Sequence, residues 1–442
     1  MRKGFLVMLA VVLVAALAAP AMAGTDINGF YRAKGFVSNF KGYGTTNIGK
    51  DVPANAFVEQ RLRVKFSFGE ENVKAVYFIE NDMEWGDSSY NGGAGGAQRN
   101  SGGALGADKI NQETKNVYVW FKLPNTSLDF TVGLQNQSDS YAGAFLGYAD
   151  LAGIFVSGKM DPVSYRLGWS KFYENLPSKA DDVTLYLAEV KFAPAKDVKV
   201  GANLYFLQDD SGRPSGVTRR VYMPGFDATF GAGPATINTF AFYQFGKYAD
   251  YAAPASTDID IQGFMFDARG DLNAGPGKAF IEGVFVSGGD NNAKKYKSIL
   301  TGNEYSLGEG FFARTDMQIL LPNLDDLTTS QALVGAGGTG LGNGGRGIML
   351  VAAGYTQKLG DKLTGKVGAG YLQASKLDAA HASYQKKAMG TEVNANVSYN
   401  IAKGLDVGLV GAYAWIGDFF KPSATTEADN AYDLHARIQY AF

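Results

Sequence analysis

Apolar and polar residues alternate along most of this chain with period two, the spacing of an extended strand whose faces meet different surroundings. From residue 25 to 37 the odd positions carry Ile27, Gly29, Tyr31, Ala33, Gly35 and Val37, while the even ones include Asp26, Asn28, Arg32 and Lys34. In the next segment Val58, Leu62, Val64, Phe66 and Phe68 share one face, and Glu59, Arg61, Arg63, Lys65 and Ser67 share the other. The pattern returns over 198–206, and again where Val393, Ala395, Val397, Tyr399 and Ile401 alternate with Glu392, Asn394, Asn396, Ser398 and Asn400. A half-buried soluble sheet also alternates, but its strands usually stop at about 5–6 residues. These runs reach the roughly 9–11 residues that a tilted strand needs to cross a bilayer.

The connectors alternate in length. Tight ones fall at Gly69–Asn72, Pro124–Thr126, Pro194–Asp197, Gly360–Lys362 and Ala402–Gly404, and long stretches rich in Gly, Asn and Ser fall at 84–112, 289–307 and 328–345. The expected fold is therefore all-β, a transmembrane antiparallel β-barrel of about 18 strands (about 16–20), with short periplasmic turns and long extracellular loops. The weakest segments are the pair 151–159 and 163–173 and the stretch 308–321, which reads either as a strand or as part of a long loop.

The ends supply a compartment. Arg2 and Lys3 precede an apolar run from Phe5 to Ala19, and Ala21-Met22-Ala23 places small residues where a signal peptidase reads them. That run is too short for a membrane-spanning helix, so residues 1–23 are expected to be a cleaved signal peptide and 24–442 a single barrel domain. No later run is long and apolar enough for a spanning helix, which leaves a closed barrel as the route across a membrane. Zero cysteines exclude disulfides and thiolate metal sites, so the sheet itself must supply stability. The 57 glycines, 24 tyrosines and 29 phenylalanines suit tight turns and interfacial aromatic girdles. A net charge of −2 offers no basic footprint for nucleic acid.

The final segment alternates Leu434, Ala436, Ile438, Tyr440 and Phe442 with Asp433, His435, Arg437 and Gln439. It resembles the assembly signal of bacterial outer-membrane proteins, with Leu434, Ile438, Tyr440 and Phe442 as its reading face. Gly29-Phe30-Tyr31, Glu59-Gln60-Arg61-Leu62-Arg63, Val132-Gly133-Leu134-Gln135 and Tyr440-Ala441-Phe442 together resemble the Gram-negative outer-membrane porin superfamily. That resemblance implies a homotrimeric diffusion channel in the bacterial outer membrane, surrounded by lipid and assembled by the barrel-assembly machinery. It also implies a third extracellular loop folded inward to narrow the pore, with Asp139, Tyr141 and Asp150 on it. The Pro-Glu-Phe-Gly-Gly type of constriction motif is absent from 136–150.

Rings of fixed charge in a low-dielectric wall set the selectivity of such a channel. Arg32, Lys34, Glu59, Arg61, Arg63, Lys65 and Arg437 fall on polar faces of the first, second and last strands, which become neighbours on closure. They are expected to line the pore as a basic ladder opposite Asp139 or Asp150, or else to pair with Asp26, Glu59 and Asp433 on their own wall. Asp82, Glu84 and Asp150 are suitable ligand types for calcium but are scattered. The glycine cluster 335–345 lacks the lysine and the strand–helix context of a phosphate loop. His381 and His435 belong to no catalytic or metal-ligating set, so neither enzyme activity nor a cofactor or metal is expected. A second function reading is the barrel sheath of an electron-transfer complex, with a multihaem cytochrome as partner; the chain has no C-x-x-C-H of its own.

Overall fold

The computed structural model describes residues 24–40, 53–87, 112–147, 149–213, 216–250, 258–289, 294–305, 315–321 and 345–442. The expected signal peptide at 1–23, most of the 84–112 and 328–345 connectors and the stretch 306–314 lie outside the described residues.

Eighteen long strands form one closed antiparallel barrel. In chain order they are β1 (Gly24–Ser38), β2 (Asn55–Glu70), β3 (Val73–Glu84), β4 (Glu113–Lys122), β5 (Leu128–Gln137), β6 (Ala149–Met160), β7 (Val163–Tyr173), β8 (Val183–Ala195), β9 (Val198–Asp209), β10 (Val217–Ala232), β11 (Ala235–Asp250), β12 (Ile259–Ala274) and β13 (Gly277–Val286). After the two-residue β14 (Lys295–Tyr296) come β15 (Ile348–Lys358), β16 (Leu363–Ala374), β17 (Ala388–Ala402), β18 (Leu405–Ile416) and β19 (Ala431–Ala441). Each long strand pairs with the next, and β19 returns to β1 with Tyr31 opposite Tyr440 and Lys34 opposite Arg437. Closure leaves no sheet edge, so every strand satisfies its backbone groups between neighbours, as a hydrocarbon environment demands.

The two faces separate as the alternation dictates. On β19, Leu434 is 47% exposed and Ile438 41%, whereas Asp433 is 1% exposed. The outer face therefore carries Leu434, Ile438, Tyr440 and Phe442, and the lumen receives Asp433, His435, Arg437 and Gln439. Aromatic side chains stack around the outside in a row crossing four strands, Tyr186, Phe206, Tyr222 and Phe245, with ring centroids 5.9, 4.6 and 5.3 Å apart. This is the interfacial girdle the aromatic content anticipates.

The tight connectors are turns, as expected. At the β17–β18 turn Gly404 takes φ +77°, a left-handed conformation that costs glycine little. The segments 151–159 and 163–173 are full strands, β6 and β7. Of the stretch 308–321, open to either reading, residues 315–321 are loop and not strand; they fold into the lumen, where Met317, Ile319, Leu320 and Leu321 are buried. Residues 294–305 likewise leave the rim and enter the barrel, burying Ile299 and Leu300.

Candidate pore and constriction

The first wall of the lumen is charged. Cross-strand register sets Arg32 opposite Arg61 and Gln439, Lys34 opposite Glu59 and Arg437, and Lys65 opposite Asn28 and Phe78. Because the hairpin turns fix register and side chains alternate, all seven residues expected to line the pore, Arg32, Lys34, Glu59, Arg61, Arg63, Lys65 and Arg437, project to the lumen from β19, β1 and β2.

The carboxylates beside this ladder come chiefly from β3. Arg61 donates from Nε and Nη2 to the two Asp82 oxygens at 2.7 and 2.6 Å, a bidentate pair. Arg63 donates to Glu80, which also lies 3.5 Å from Arg61 Nε. Neither carboxylate was foreseen in this role. The signal was present in Val76, Phe78, Glu80, Asp82 and Glu84, a single face of the strand that follows the Glu70–Val73 turn. Asp82 is thus held by Arg61, and no group of three or more metal-ligating side chains occurs among the described residues. On β19, Asp433 is 2.8 Å from His435 Nδ1.

The loop between β5 and β6 turns inward, burying Tyr141, Ala144, Phe145 and Leu146. Asp139 organises it. One carboxylate oxygen accepts the backbone N–H of Tyr141 and of Gly143 at 2.8 Å, and the other accepts Phe145 and Leu146 at 2.6 and 2.7 Å. Burial pushes this carboxyl above its ordinary range, against the downward pull of the four N–H groups. Asp139 is therefore turned to its own loop and away from the basic ladder. Tyr141 does not line open space either; it packs on Tyr205 and Phe242, at centroid distances of 5.3 and 4.7 Å.

Asp150 lies on β6, outside the loop. There its carboxylate accepts Lys115 Nζ at 2.9 Å, Asn116 Nδ2 at 2.8 Å and Asn136 Nδ2 at 3.1 Å, three residues that line a cavity shared with Arg63 and Lys65. Of the two carboxylates expected opposite the ladder, Asp139 is therefore held by its own loop, and Asp150 is bonded to residues beside Arg63 and Lys65.

The opposite wall is apolar inside, which period-two alternation alone does not anticipate. Leu185, Leu207, Met223, Phe242, Ile261 and Met265 face inward and are buried against the inserted segments. Gln244 holds one segment by both atoms of its amide, donating to Leu300 O at 2.8 Å and accepting Leu300 N–H at 2.6 Å. The lumen is thus divided into a packed side and a polar, charged side.

On the polar side a cavity of about 420 Å³ opens among Arg63, Lys65, Phe78, Tyr118, Trp120 and Gln135. Three aromatic rings and four amides stand beside the cations Arg63, Lys65 and Lys115, with Lys65 making no ion pair among the described residues. Such a surface attracts small anions and stacks flat groups. The idea of a cytochrome sheath finds no support, because the chain's own segments fill the other side of the lumen.

No family model matches the sequence, and no curated protein matches it. Solved structures do match the fold. Acinetobacter baumannii OccAB4 is similar with TM-score 0.56 at 9% identity, covering 96% of this chain and 99% of that one. Pseudomonas aeruginosa OccK2 (OpdF), in complex with glucuronate, has TM-score 0.55 at 10% identity over 95% and 98%. A BenF-like porin from Pseudomonas fluorescens Pf-5 has TM-score 0.53 at 12% identity over 95% and 98%. The chain has the closed antiparallel barrel fold of the Gram-negative outer-membrane porins.

Proposed function

We propose that this protein is an outer-membrane porin through which small hydrophilic solutes diffuse passively, with anions preferred. The observation that carries this reading is the divided lumen, in which a polar lane bearing the Arg32, Lys34, Arg61, Arg63, Lys65 and Arg437 ladder and the cavity beside Arg63 and Lys65 faces a wall packed with the chain's own loops. A cationic lane between low-dielectric walls raises the local concentration of anions and lowers their barrier to passage. Glucuronate, bound by a neighbour of the same fold, is a small anionic solute of the class this reading expects.

The same reading includes export through cleavage after Ala23, recognition of the β19 outer face by assembly machinery, and a homotrimer in lipid. It includes no catalysis and no cofactor. Planar-bilayer recording of the purified protein tests it: discrete steps with a reversal potential of anion sign in a salt gradient support it, and membranes that stay silent refute it. Mass measurement in detergent tests the trimer separately.

A further inference from the structure

The inserted segment Thr315–Leu321 sits in a socket built for it. Glu392, fully buried on the lumen face of β17, accepts the backbone N–H of Gln318 at 2.6 Å on one oxygen and those of Ile319 and Leu320 at 3.0 and 2.8 Å on the other. Asn394 Nδ2 adds a bond to the first oxygen at 3.2 Å. Directly opposite Glu392 on β16 stands Gly370, and the missing side chain is the space that Met317 fills; a Cβ there would overlap the Met317 methyl carbon. One end of the segment is tied by Lys366 Nζ to Asp316 Oδ1 at 2.6 Å. Ile319, Leu320 and Leu321 complete the seat among Leu372, Ala374, Met389 and Ala414, all buried.

A strand position left empty, a buried carboxylate spent on three backbone donors, and a salt bridge all converge on seven residues far away in sequence. Unsatisfied, those donors and that carboxylate would each cost free energy in the interior, so the arrangement is stable only with the segment seated. The segment occupies lumen cross-section that solutes would otherwise use.

We propose that Thr315–Leu321 sets the bore of the channel and that Glu392 is the positioning residue that holds it against the wall. This rests on the diffusion-channel reading, and deepens it by naming what limits solute size. Without the clamp the segment leaves the β15–β18 wall, and the lane widens toward it.

The test compares wild type, Glu392→Ala and Gly370→Leu in planar bilayers, with solute size limits taken from neutral polyethylene glycols of graded mass. Intact barrels are verified by heat-modifiable migration on gels, and Gly370→Leu carries the test if Glu392→Ala does not fold. Since the chain contains no cysteine, Leu320→Cys placed in each background gives a single thiol whose labelling reports whether the segment is seated. We expect faster labelling, a rise in single-channel conductance of about twofold or more, and admission of larger polymers in both variants. Faster labelling with unchanged conductance and size limit would overturn the bore-setting role, and unchanged labelling in both variants would overturn the clamp. A silent wild type would refute the channel reading itself, and the proposal with it.

Discussion

Arg32 on β1 and Arg61 on β2 occupy directly opposed positions in the register, both in the lumen, so two guanidinium groups share one cross-strand site. Like charges so placed destabilise a sheet by up to about 1 kcal/mol. Asp82 relieves Arg61 from the other side at 2.7 and 2.6 Å.

Removing one member of this arrangement moves selectivity in a direction set by its sign. Arg32→Gln should shift the reversal potential toward cations. Asp82→Asn should shift it toward anions and cost about 1–3 kcal/mol, because a buried guanidinium loses its bidentate acceptor. Equal shifts, or none, in a salt gradient would show that the ladder is structural.

Trp120 gives a direct optical report of solute in the lane. Trp85, Trp169 and Trp415 are exposed on the outside, and Trp120 faces the lumen beside Tyr118 and Lys65. Titration with a small aromatic carboxylate should quench a saturable part of the tryptophan emission, and Trp120→Phe should abolish that part. Quenching that persists in the variant would place the solute elsewhere.

The β5–β6 loop depends on Asp139. Asp139→Ala leaves four backbone N–H groups without their acceptor, at about 1 kcal/mol or more for each that water cannot reach. Denaturant unfolding should show the loss, and recordings should show noisier open channels. An unchanged midpoint together with quiet channels would mean that the loop is held by its apolar contacts alone.

A pH response is expected at the turn Gly302–Tyr305. Burial raises the Glu304 carboxyl from 4.5 to about 7, against the pull of Arg219 3.9 Å away. Asp209, Tyr248, Tyr296 and Tyr305 are the other titratable groups around it. The docked turn favours the protonated acid, so this contribution to docking is complete below the ordinary value of 4.5 and is lost as pH rises through about 7. Protease sensitivity of the turn should increase between about pH 5 and about pH 8, and Glu304→Gln should flatten the profile.

The sequence by itself determined the barrel. Period two fixes which side chains leave each face, tight turns fix register between hairpin neighbours, and closure puts the first and last strands together, so Lys34 and Arg437 were legible as lumen-facing residues of adjoining strands, and the structure sets them opposite each other. The β3 carboxylates Glu80 and Asp82 were legible by the same rule. What lies in the lumen was decided by tertiary structure. Period two cannot say whether an inward apolar residue such as Met223 or Met265 meets water or another segment, nor that residues 315–321 return to a glycine on β16 and a glutamate on β17. Those contacts join positions dozens of residues apart, and their energy comes from packing and backbone donors that leave no periodic trace. Asp139 shows the limit within a single loop: a carboxylate placed to face a basic wall is satisfied first by the four N–H groups nearest to it.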